Sequence, residues 1–214
     1  MTAARPALRL LRTEACVARG AAWLAGVEPR FAAVLQATGP WPLRLRPDGF
    51  GALQAAIVGQ QVSTASASAI LKRLQAAGLD RPGAVAAATD ADLGACGLSR
   101  AKMRYLRALA EAGLDFDALR DLPDAALQAR LVALPGVGPW TAQVYAMLSL
   151  GRADVFAPAD LALQEGARLA FDLPARPRPA ELERMAAAWS PWRGVAARGL
   201  WTYYRLVKKR EGIG

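Results

Sequence analysis

Along this chain apolar residues recur at three- and four-residue spacing between short Pro- and Gly-rich breaks, while the strict alternation of a half-buried strand is scarce. The pattern predicts an all-α fold. Its clearest stripe is Leu182, Met185, Ala186 and Trp189, opened by Pro179. Ser99 reads as the N-cap of a helix carrying Met103, Leu106 and Ala110. The same reading places further helices over roughly 7–25, 29–37, 49–77, 123–133, 139–150, 160–170 and 192–208.

The breaks suggest how these helices are grouped. Gly39-Pro40-Trp41-Pro42 and Arg46-Pro47-Asp48-Gly49 bracket a short connector, and Leu150-Gly151-Arg152-Ala153-Asp154 interrupts the chain again. The expectation is a middle helical lobe over roughly 48–150 and a second lobe built from both termini, about 1–47 with 151–214, with a cleft at their junction. The chain shows no internal repeat and no long low-complexity linker.

Chemistry enters with one segment, Leu134-Pro135-Gly136-Val137-Gly138-Pro139-Trp140-Thr141-Ala142, followed 22 positions after Gly138 by Asp160. Pro139 suits the first position of a helix, and the glycines allow a tight turn whose backbone N–H groups point out at that helix's positive end. An anion is expected to dock there. By itself the segment reads more readily as a plain connector between two helices, and by spacing alone Asp160 reads as an N-cap ahead of Leu161-Ala162-Leu163-Gln164. Asp154, the competing acid, is expected to be a solvated turn residue, and Trp189 and Trp192 are expected to fill the core.

Composition then narrows the chemistry. The 214 residues hold 27 Lys and Arg against 18 Asp and Glu, a net charge of +9, which favours a polyanionic partner. Only Lys72, Lys102, Lys208 and Lys209 are lysines, so a general bias toward Arg and Ala accounts for part of that balance. There is no histidine, which excludes Ser–His and Cys–His nucleophile schemes and His-ligated zinc. Cys16 and Cys96 cannot ligate an iron–sulfur cluster. Acid–base chemistry must therefore rest on carboxylates. No stretch reads as a signal peptide or membrane span, so the expected setting is cytoplasmic.

Four segments together carry a resemblance: Ile57-Val58-Gly59-Gln60-Gln61-Val62-Ser63; Gly97-Leu98-Ser99-Arg100-Ala101-Lys102; Leu134 to Asp160; and Trp189-Ser190-Pro191-Trp192-Arg193 with Trp201. In this order, from about residue 50 to 205, they resemble the helix–hairpin–helix (HhH-GPD) DNA glycosylases, in the 3-methyladenine DNA glycosylase II (AlkA-like) branch. The front is too short for the N-terminal β domain of longer relatives.

The resemblance implies an all-α HhH-GPD fold of two helical lobes with a DNA-binding cleft between them. It also implies a nucleoid-associated monomer whose partner is double-stranded DNA with alkylated bases, with no membrane partner. Asp160 would be the catalytic carboxylate, and Trp140, Val144, Tyr145 and Trp201 would surround a flipped base. Gly136, Val137, Gly138 and Thr141 would grip the backbone, with Lys102 as a further DNA contact on a solvated face shared with Arg104 and Arg107. Gln60 and Gln61 would lie on the loop that fills the gap in the duplex, although such a pair could simply be polar residues on an exposed turn. Carbonyls of Val132, Leu134 and Val137 would hold a K+ or Na+ ion, with no cofactor required for catalysis.

Two departures stand out. The family's best-known form has two adjacent acids followed by an aromatic residue, where this chain has Ala159, Asp160 and Leu161; it also has Val144 where an aromatic pocket residue would lie. Bifunctional relatives carry a lysine at position 140, the nucleophile of a Schiff-base route to strand cleavage. Trp140 stands there, so the expectation is a monofunctional, water-using enzyme. The alternatives are a non-catalytic helix–hairpin–helix DNA-binding module and a bifunctional glycosylase/lyase.

Overall fold

The computed structural model describes residues 8–209 and contains thirteen helices among them. In chain order these are α1 (Glu14–Val27), α2 (Pro29–Thr38), α3 (Phe50–Val58), α4 (Thr64–Ala76), α5 (Pro82–Ala87), α6 (Asp90–Ala95), α7 (Arg100–Glu111), α8 (Phe116–Asp121), α9 (Asp124–Val132), α10 (Pro139–Leu148), α11 (Leu161–Ala170), α12 (Pro179–Ala187) and α13 (Arg193–Lys208). The fold is all-α, and the chain divides into two compact units, Arg46–Tyr145 and Met1–Leu45 with Ala146–Gly214.

In the unit formed by both ends of the chain, α13 is the central element. Every residue from Gly194 to Trp201 is buried. Glycine permits close approach where α11 crosses it: a Cβ at Gly166 would lie 2.7 Å from the Leu200 carbonyl oxygen. Phe31, Phe156, Phe171 and Trp189 form an aromatic cluster, with the Phe31 and Trp189 rings edge to face at 5.2 Å. Both Trp189 and Trp192 are buried, as expected of core residues.

Arg198 is fully buried on α13, and its guanidinium donates to the carbonyls of Leu43, Gly194 and Met147 at 2.8–3.0 Å. Burial pulls this cation down to about 10 from its usual range. Asp154 is not a free turn residue. It accepts from Ser190 Oγ and from the backbone and guanidinium of Arg193, pinning the start of α13.

In the unit spanning Arg46–Tyr145, α3 buries Phe50, Leu53, Ile57 and Val58 and packs against α7 and α4. Gln54 on α3 donates to the Leu79 carbonyl at 2.8 Å, satisfying a buried acceptor. Ser99 caps α7 by accepting the Lys102 N–H, and Arg107 on the same helix reaches the Ala88 carbonyl and Asp90. Asp48 is clamped by Arg120, whose hydrogen bonds hold its carboxyl below the ordinary range.

Four expectations about the helices are corrected. The helix predicted over 49–77 is two, because Gln61 adopts φ +56° and Ser63 starts a new helix by accepting the Ser66 N–H. α1 begins at Glu14, capped by Thr13, whereas the prediction started at residue 7, which lies outside the described residues. The segment before it is extended, with Leu10 bridging Arg152 antiparallel and Leu11 N–H on the Gly151 carbonyl at 2.7 Å. α12 stops at Ala187, short of Trp189. Finally, α5, α6 and α8 were not expected, since six residues are too few to express a helical period.

The α11–α13 crossing gives a direct check. Gly166→Ala is expected to destabilise the protein by about 1–3 kcal/mol through a clash with main chain, read as a lower urea midpoint. An unchanged midpoint would mean the crossing can widen freely.

Candidate nucleic-acid interface and carboxylate site

The hairpin is built almost entirely from backbone. α9 ends at Val132, the Val137 N–H closes the turn on the Leu134 carbonyl at 3.0 Å, and α10 starts at Pro139 with the Ala142 N–H on the Gly138 carbonyl. The first-turn N–H groups of α10 have no acceptor within their own helix, so this end carries partial positive charge suited to an anion.

The two glycines do different work. Gly136 has φ +84°, and a Cβ there would lie 2.4 Å from Cγ of Tyr105, so α7 presses its aromatic ring directly on the turn. Gly138 is exposed, and a Cβ on it would meet nothing within 4 Å. One glycine lets the protein close on itself; the other leaves the surface bare for a ligand to come near.

Gln60 and Tyr105 join the hairpin in lining an open concavity with Val132, Gly138 and Trp140. The Gln60 side-chain amide donates to the Gly136 carbonyl at 2.8 Å, so Gln60 faces the hairpin and not solvent. Gln61 is exposed, and its left-handed backbone turns the chain at that point. Trp140 is half-buried.

Other expected contact residues are placed differently. Thr141 is buried, as is Val137, so neither presents its side chain to a ligand. Lys102 donates Nζ to the Val58 carbonyl at 2.7 Å, and burial lowers its pKa. With Arg107 also bonded internally, only Arg104 of the three expected solvated cations remains exposed. Val144 is half-buried, and Tyr145 is buried with its hydroxyl accepting the Gly49 N–H, which ties it to the Asp48 turn.

Asp160 belongs to the other unit and caps α11. Its Oδ1 accepts the Leu163 N–H at 2.9 Å and the indole N–H of Trp201 at 3.1 Å. The loop leading to it is fixed by Gln164, whose side chain donates to the Pro158 carbonyl at 2.9 Å. Asp160 is 2% exposed and Trp201 is 0% exposed. The N-cap role and a fixed carboxylate direction are therefore the same geometry. Trp201 shows no bare ring face here and instead orients the acid. The sequence assigns no role to Tyr105 or Gln164; the one available signal is Tyr105 standing three positions after Lys102, one helical turn along the same face.

Metal chemistry through side chains has no support in the donor sets, since no group of three or more His, Cys, Asp or Glu clusters among the described residues. The carbonyl set proposed for a monovalent cation is of another kind. Val132 is the last residue of α9, and Leu134 and Val137 belong to the turn that follows. The Leu134 oxygen already accepts one N–H, which leaves a lone pair. No helix among the described residues is long and apolar enough to cross a membrane.

The backbone hairpin and the helix-capping Asp160 both lie within a stretch that matches a known family. The profile of the HhH-GPD superfamily of base excision DNA repair proteins matches residues 54–193, and the chain belongs to that family. It is 39% identical over 162 residues to a probable bifunctional transcriptional activator/DNA repair enzyme AlkA of Mycobacterium tuberculosis, a match covering 69% of this chain and 32% of that protein. The chain thus spans about a third of the length of that curated relative. It is 31% identical to DNA-3-methyladenine glycosylase 2 of Escherichia coli over 68% of this chain and 54% of the relative. Among solved structures, a DNA-3-methyladenine glycosidase from Bacillus halodurans superposes with a TM-score of 0.79 and 31% identity, covering 88% of this chain and 90% of the other.

The glycine contrast is testable without any ligand. Gly136→Ala is expected to cost about 2 kcal/mol or more, from the positive φ and the Tyr105 clash, whereas Gly138→Ala stays within about 0.5 kcal/mol of wild type in denaturant melts. Equal melts for the two variants would refute the distinction.

Proposed function

We propose that this protein is a monofunctional DNA glycosylase that hydrolyses the N-glycosidic bond of alkylated bases, 3-methyladenine, 7-methylguanine and similar lesions, in duplex DNA. The observation that carries this reading is the double hold on Asp160, by a helix N-terminus and by the Trp201 indole, in a chain that also carries the backbone hairpin. Names of relatives that include DNA-3-methyladenine glycosylase support the substrate class.

A base inside a stacked duplex is out of reach and must be extruded at a cost of a few kcal/mol, least for damaged or mispaired nucleotides. An N-alkylated purine already bears positive charge and departs without a general acid, which suits a chain lacking histidine. What remains is to stabilise an oxocarbenium-like sugar while water attacks, a task for one fixed carboxylate. Asp160 takes that role and Trp201 aims it. The indole of Trp140 offers a face that favours a cationic base by about 0.5–2 kcal/mol.

The hairpin N–H groups around Gly138 grip phosphate, positioning the strand without reading its sequence. Gln61, exposed on its left-handed turn, fills the space left by the extruded base. Carbonyls of Val132, Leu134 and Val137 would hold the K+ or Na+ ion, adding positive charge next to the gripped phosphate. Position 140 is Trp, and none of the four lysines lies in the hairpin, so water and not an amine attacks the sugar. The protein acts as a monomer.

Incubation with globally methylated duplex DNA, followed by mass identification of released bases, tests the reading. Asp160→Asn is expected to lower release by about 10²–10³-fold while duplex affinity is largely kept, and the strand stays intact without added alkali. Binding without any base release would make the chain a DNA-binding module only; borohydride trapping of a covalent adduct would make it a lyase.

A further inference from the structure

We infer that Gln60 is a positioning residue: its side-chain amide locks the loop of residues 59–63 to the phosphate-gripping hairpin, so that the segment that fills the vacated base position is held in place before DNA arrives. The inference rests on the glycosylase reading above, and its structural half stands on geometry within a single unit. Gln60 Nε2 lies 2.8 Å from the Gly136 carbonyl oxygen. That carbonyl belongs to the residue at φ +84°, the tightest point of the hairpin, which the Tyr105 ring supports from α7.

The same helix holds the other end of the loop. Lys102 Nζ donates to the Val58 carbonyl at 2.7 Å, placing a cation on the last residue of α3, where helix carbonyls lack partners and carry partial negative charge. Lys102 and Tyr105 are three residues apart on α7 and share a face. Loop, hairpin and α7 thus close a three-sided brace whose sides are Gln60 to Gly136, Tyr105 to Gly136, and Lys102 to Val58.

What the brace fixes is Gln61. The Cα atoms of consecutive residues lie about 3.8 Å apart, so once Gln60 is tied to the hairpin its neighbour stays within one residue of that anchor. A loop ordered before DNA arrives does not have to be ordered at binding, and binding is stronger by that amount. The gain falls on duplexes with a vacated position, because only there does Gln61 insert; on undamaged duplex the hairpin grips alone.

The test compares affinity of the full chain for a duplex with a tetrahydrofuran abasic site and for the matching undamaged duplex, together with amide hydrogen exchange over residues 59–63. Gln60→Met and Gln60→Glu remove the donor, and each is expected to lower the abasic-over-undamaged preference roughly tenfold and to speed exchange in the loop. Gln60→Lys restores a donor and is expected to keep the preference. Gly138→Asp weakens both duplexes and leaves their ratio unchanged. Should Gln60→Met fold poorly, Lys102→Met breaks another side of the same brace and is read identically. Loss of donor without change in either the preference or the exchange would overturn the proposal. A wild-type protein with no preference for the abasic duplex would instead overturn the glycosylase reading, while loop exchange in Gln60→Met still decides the brace.

Discussion

The carboxylate of Asp160 holds one direction because the Trp201 indole reaches it, and the indole reaches it because α11 and α13 touch main chain to main chain at Gly166. A Cβ at that glycine would lie 2.7 Å from the Leu200 carbonyl oxygen, so a side chain there strains the crossing on which the indole and the carboxylate meet. The remaining pieces of this unit serve the same geometry. Gln164 fixes the approach loop, Asp154 and Arg193 fix the start of α13, and the aromatic cluster around Phe31 and Trp189 fills the space these elements leave. A capping aspartate is ordinary; one with a second donor from another helix is a directed group.

The hairpin unit reaches a comparable result with backbone in place of side chains. Its amides are aimed by a turn that only glycine can make at Gly136, and the ring of Tyr105 stops that turn from relaxing. Gly138, with nothing near it, keeps the approach clear. On the proposed reading, a surface that grips phosphate through N–H groups is indifferent to base identity, so it serves wherever a lesion lies.

Much of this was readable from residue order, and the failures have physical causes. Helices with Pro or a capping residue at their start, such as α2, α7, α9, α10 and α11, lie within a few residues of expectation, because period and cap agree locally. The break inside 49–77 was hidden: Gly59-Gln60-Gln61 is compatible with helix, and the bond that ties Gln60 to the hairpin spans 76 residues. Likewise, Asp160 could be located as a cap by spacing, but its bond to Trp201 spans 41 residues and no local rule reports it. Lys102 illustrates the opposite error. A lysine on a basic helix face reads as solvated, yet its amine is drawn inward to a helix end that sequence spacing does not place nearby.

Arg198 has a consequence of a different sort. Its three hydrogen bonds all end on main-chain oxygens, at Leu43, Gly194 and Met147. Amide oxygens do not titrate in the range where carboxylates take up protons, so this knot between the connector before the second unit and the central helix survives acidification. The middle of α13 therefore keeps its hold on the connector through acceptors that carry no charge to lose.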